Sequence, residues 1–286
     1  MARRMNLSPI KSQMRQIEQK QKRAIIDYNR AVKQYNEKVN RAIREYNSYV
    51  RSHNANVRRN RQIIAQERAK LQSRTTISTT YTISMQTMQQ RYALVDSIYA
   101  PGVEVTPQQD MILNLIEQEH ANSLITANAV ENDELPEDNT EDIDIGNKLL
   151  VVSEDLHNRW KGAVFSLSPL NPDAARHFCT STREIFTEFI ELKAPDQDVF
   201  KFNPKCEKTE RGNATRREKI RYMMRNKQMD ESVSAFVEAD ITNILELFHV
   251  LSDGTHGAAG RYEFQKLVQV KKRVEQGINF LCEIAA

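Results

Sequence analysis

Between Pro9 and Pro101 the chain has neither glycine nor proline. The two strongest helix breakers are missing there, so nothing in that stretch interrupts a long helix. Glycine is scarce throughout, eight in 286 residues, and three of the eight (Gly254, Gly257 and Gly260) surround His256 in LSDGTHGAAG. Cysteine is rarer still. Cys179, Cys206 and Cys282 are far apart and form no CxxC pair, which argues against a disulfide framework or a zinc knuckle. No apolar run approaches the eighteen or so residues of a membrane span, and MARRMNLSPIKSQ lacks the apolar segment of a signal peptide. A cytoplasmic protein with no membrane contact is expected.

What is present is charge, unevenly placed. Residues 1–74 carry nineteen Lys or Arg against five acids, residues 75–147 one against thirteen, and residues 148–286 twenty-one against twenty. Three regions follow from charge alone. In the first, Ser8-Pro9 is a helix start, because the hydroxyl caps free N–H groups and proline loses nothing at the first helical position. Ile25, Tyr28, Val32, Tyr35, Val39, Ala42, Tyr46 and Tyr49 then alternate spacings of three and four, the seam of a coiled coil. The stripe drifts onto Val50, Val57, Ile64 and Leu71, as a straight 3.6-residue helix does against a seven-residue repeat. A helix from Ser8 to about Ser73 is an arm of roughly 100 Å. Tyr81, Met85, Met88, Tyr92, Val95 and Tyr99 repeat the helical spacing, so an antiparallel helix returning along the arm is expected.

Thr106-Pro107 starts a further helix, and ENDELPEDNTEDID, acidic and without a base, reads as a solvated linker. The expected organisation is all-α: a helical hairpin or coiled-coil arm over 1–130, a linker over 131–145 and a helical bundle over 146–286. In the bundle, Leu149, Leu156 and Trp160 mark one helix, and Asn171-Pro172-Asp173 caps the next, which buries Phe178, Ile185, Phe186 and Phe189. Val233, Phe236, Val237, Ile241, Ile244 and Phe248 line a third, and Leu267, Val274, Ile278 and Leu281 a last. Gly254 falls where a left-handed C-cap is wanted. Gly257 and Gly260 leave His256 on an interhelical corner.

NPDAARHFCTSTREIF, LSDGTHGAAG and KLVQVKKRVEQGINFLCEI resemble the helical bundle called HEPN. From Trp160 onward the chain is similar to bacterial proteins described as predicted pPIWI-associating nucleases, often preceded by a coiled coil. The resemblance implies metal-independent RNA cleavage at a composite site between two bundles, with no cofactor, in a prokaryotic defence system. Its motif, an arginine followed four to six residues later by histidine, points to His256. Residues 249–251 are His249, Val250 and Leu251, so the arginine of that motif is absent. Three outcomes then stand open: Arg176 or Arg183 from the preceding helix takes its place, His249 acts instead, or the site is catalytically inactive. Histidine suits removal of a proton from a ribose 2′-hydroxyl, and the arginine fork suits a phosphate.

Arg216, Arg217, Lys219, Arg221, Arg225 and Lys227 gather on one basic helix in which Tyr222 is placed to stack on a base, a candidate RNA-binding surface. Two decoys are set aside. His249, Asp253 and His256 have metal-ligand spacing, but Gly254 breaks the helix between them; Glu191-Leu192-Lys193 imitates a nuclease E-x-K but continues a helical phase. No metal site is expected. The expected partners are a second copy of the chain, joined through arm and bundle as a dimer or higher oligomer, RNA, and a protein of a defence system. A non-catalytic coiled-coil scaffold for a nuclease, helicase or Argonaute-like protein stands as the alternative, and a nucleic-acid-binding module as a second.

Overall fold

Ser8 and Pro9 do begin a helix, and with no breaker to stop it α1 runs Ser8–Gln72. The structure, a computed structural model, describes residues 8–72, 79–100, 102–132, 144–168, 170–253 and 264–286. His256 and the glycines around it lie outside the described residues, as does most of the acidic segment. After α1 come α2 (Thr79–Ile98), α3 (Pro107–Asn132), α4 (Ile145–Val152), α5 (Glu154–Ser166), α6 (Ala174–Lys193), α7 (Asp196–Phe202), α8 (Arg216–Met223), α9 (Glu231–Asp253) and α10 (Phe264–Ala285). The fold is all-α; among the described residues the nearest thing to a strand is an isolated bridge between Lys208 and Ala214.

Packing divides the chain between Arg58 and Arg59. In the first unit every described side chain from Ser12 to Tyr49 is exposed, including Tyr28 at 70% and Tyr46 at 68%. The second unit holds one continuous hydrophobic core reaching from Ile64 to Ile284. The apolar face of α2 (Tyr81, Met85, Met88 and Val95) is buried as the sequence spacing demands, but the partner of α2 is α9, and α3 lies against α10 and α9. The hairpin arm over 1–130 stays an expectation, while among the described residues α2 and α3 contribute to the core of the helices that follow them. α9 in turn buries Val233, Phe236, Val237, Ile241 and Ile244 in the same core.

Local signals hold these helices in place. Gln109 N donates to Thr106 Oγ1 at 3.2 Å while Thr106 N donates to Gln109 Oε1 at 2.9 Å, a reciprocal capping box with Pro107 at the first helical position. Asp144 caps α4 through Asn147 N at 3.1 Å. Trp160 meets Phe178 edge-on, and Gly277 of α10 lets the chain approach closely: a Cβ there would stand 2.8 Å from Ile244 Cδ1 and 3.1 Å from Phe186 Cζ. The tightest polar element is also internal. Arg273 of α10, 1% exposed, donates to Glu119 of α3 at 2.5 Å, Asp240 of α9 at 2.7 Å and Ser123 Oγ at 3.0 Å.

Candidate functional site

Asn171-Pro172-Asp173 sets the entry to α6, and its details depart from an ordinary cap. Asp173 N donates to Asn171 Oδ1 at 3.1 Å, while Asn171 Nδ2 donates to Ser166 O at 2.7 Å, fixing the turn. Asp173 occupies the N-cap position yet makes no side-chain bond to the helix backbone. Its Oδ2 meets Arg176 at 2.5 Å and lies 3.7 Å from His177 Nε2. Carboxylate, guanidinium and imidazole thus converge on one helical turn, at i, i+3 and i+4, with the Arg176 and His177 side chains 56% and 55% exposed. The other ring nitrogen, His177 Nδ1, stands 3.3 Å from Asn171 Nδ2. With the proton on Nε2, Nδ1 accepts from the Asn171 amide, while the 3.7 Å from Nε2 to Asp173 Oδ2 exceeds hydrogen-bond length. The connection before α6 also leaves Phe165 83% and Leu170 93% exposed.

The remaining expected catalytic residues scatter. Arg183 is exposed two turns further along α6, and Glu184 beside it is engaged by Arg159 at 2.9 Å. His249 is exposed on α9. His256 lies outside the described residues, so the pairing of His256 with Arg176 or Arg183 stays an expectation.

The basic helix α8 differs most from its sequence reading. Lys219 is 2% exposed, with its ammonium held by Glu191 and, at 3.0 Å, by Asp196; it is not available to a phosphate. Arg217 and Arg221 both bind Glu231, and Arg221 also binds Glu218 at 2.6 Å. Arg225 lies over the Tyr222 ring at 4.0 Å, and that ring meets Phe202 edge-on. Arg216 is exposed, 3.4 Å from Thr242 Oγ1. These cations tie α8 to α6, α7 and α9; charge composition could not distinguish that from an open binding face.

Residues 149–281 match the family described as predicted pPIWI-associating nuclease. The match opens in α4 and closes in α10, so the Asp173, Arg176 and His177 group and the His256 segment fall inside it, and α1 to α3 fall outside. No curated protein and no solved structure gives a match.

Among the described residues no group of three or more His, Cys, Asp or Glu side chains is arranged to hold a metal ion, and no described helix is long and apolar enough to cross a membrane. Sequence reasoning misses His177, although D-x-x-R-H directly after a helix-starting proline is readable as three side chains on one turn. It misses the buried triad too. The signal there is that Glu119, Asp240 and Arg273 each sit in the apolar phase of their helix, where a charge has to find an internal partner.

Proposed function

We propose that this chain is a metal-independent endoribonuclease, a HEPN-like effector of a prokaryotic defence system, working at the N-terminal turn of α6. The observation that carries the reading is the meeting of Arg176 and His177 on Asp173, in the open, inside the segment similar to predicted nucleases. An RNA phosphate displaces Asp173 from the Arg176 fork and takes its bidentate N–H donors. The 2′-hydroxyl takes the place of the Asn171 amide at His177 Nδ1, which removes its proton; the 2′-oxygen attacks phosphorus, and the 5′-oxygen leaves with a proton from water, giving a 2′,3′-cyclic phosphate. Asp173 places a carboxylate 3.7 Å from His177 Nε2, on the far side of the ring from the attacking hydroxyl. Phe165 offers an aromatic face for a neighbouring base.

Full-length protein incubated with labelled RNA in EDTA tests this. Cleavage is expected, with loss of about 10²-fold or more in His177→Ala and a comparable loss in Arg176→Ala. Activity that survives His177→Ala but disappears in His256→Ala moves the base to His256, the residue to which the HEPN-like motif points. Arg183 and His249 serve as controls on α6 and α9.

In this reading the protein works in the cytoplasm as a homo-oligomer assembled through arm and bundle, and the name of the similar family adds a PIWI-like protein as partner. One observation favours a second reading, a scaffold without catalysis: the seam of α1 has no cover within the described chain. A chain that binds a PIWI-like protein and cleaves no RNA fits that alternative.

A further inference from the structure

Over residues 12–58, α1 carries eleven basic and four acidic side chains. Along this stretch Ile25, Tyr28, Val32, Tyr35, Val39, Tyr46 and Tyr49 are all exposed, between 37% and 70%. Seven-residue phasing places Ile25, Val32, Val39, Tyr46 and His53 at one seam position and Tyr28, Tyr35, Ala42 and Tyr49 at the other. We infer that the occupant of this seam is the same segment of a second copy, running antiparallel, with the two-fold axis between Asn40 and Arg41.

Two features of the sequence select that arrangement. The first is volume. In the antiparallel register Val39 of one copy meets Ala42 of the other, Val32 meets Tyr49, Tyr35 meets Tyr46 and Tyr28 meets His53, so Ala42 shares its layer with a valine and Tyr49 with another, neither with its own copy. A parallel pair instead stacks Ala42 on itself and follows it with two consecutive tyrosine layers, leaving a gap beside a crowded step. The second feature is charge. Flanking positions of one class face each other across an antiparallel seam, which sets Lys38 against Glu45 of the second copy, twice by symmetry. The parallel arrangement places Lys38 opposite Ile43 and Glu45 opposite Val50, satisfying neither charge. The surplus of positive charge on both helices opposes pairing at long range, so added salt strengthens the dimer. None of this depends on ribonuclease activity.

Spin labels on the full-length chain test polarity without touching the seam. Arg51, on the solvent side of this phasing, is changed to cysteine and labelled, with the unsubstituted chain as the background for Cys282. The antiparallel register separates the two labels by about 30 Å along the helix axis; a parallel pair holds them level, which overturns the proposal. Sedimentation of the unlabelled chain at moderate salt is expected to give a dimer, and a monomer there overturns it equally. Glu45→Lys should weaken the dimer about tenfold, and adding Lys38→Glu should restore it. No recovery in the swapped variant removes the register.

Discussion

The two units of this chain answer the same requirement in opposite ways. From Arg59 onward a continuous apolar core forms, and within it Arg273, Glu119 and Asp240 bond one another and, among the described residues, Ser123 and Asn122. Before Arg58 the tyrosines of a regular seam stand in solvent. Both helical patterns are equally clear in the sequence. Periodicity therefore specifies a face, whereas apolar content decides whether the chain itself can cover it.

The sharpest way to break the contrast is at the triad. Arg273→Leu leaves two carboxyl groups in the core without their guanidinium and should cost about 3–5 kcal/mol of stability, read from denaturant unfolding. Arg44→Ala in α1, exposed and off the seam, should leave the same unfolding midpoint in place.

A second way uses pH. Burial raises the Glu119 carboxyl from its usual 4.5 to about 7 despite Arg273, and lowers His120, stacked on Tyr92, from 6.5 to about 3. The folded chain keeps the Glu119 proton that the unfolded chain sheds, so this contribution is whole below about pH 4.5 and lost as pH rises to about 7. The His120 contribution runs the other way, present above about 6.5 and lost as pH falls toward 3. Between these limits the two oppose each other. Glu119→Gln should therefore expose a stability that climbs with pH up to about 6.5, measured as the urea midpoint against pH; an unchanged profile contradicts the assignment.

Two glycines sharpen the comparison within helices. Gly277→Ala drives a methyl against Ile244 and Phe186 and should destabilise by about 1–3 kcal/mol. Gly162 in α5 has open space where a Cβ would stand, and Gly162→Ala should stabilise by about 0.5–1 kcal/mol. Calorimetric shifts of opposite sign check both.

The all-α class, the length of α1, the Thr106-Pro107 start and most buried faces are legible in the sequence, because each rests on local chemistry. That α2 chooses α9 is not, since two apolar stripes of like period are interchangeable until their burial is compared. Arg176 stands out as a natural fork for phosphate, but His177 hides behind the glycines that draw attention to His256. Lys219 shows the opposite error: a cation in a basic helix looks exposed, and two carboxylates on neighbouring elements have already claimed it.

The ends of the cleaved RNA decide whether His177 is the base of a metal-independent ribonuclease. Full-length protein and its His177→Ala variant, matched for unfolding midpoint, are incubated in EDTA with end-labelled RNA, and the products are examined for 2′,3′-cyclic phosphate. Cyclic ends are expected from the native chain and almost none from the variant. Intact RNA with the native chain, or equal cleavage by both, would contradict that role.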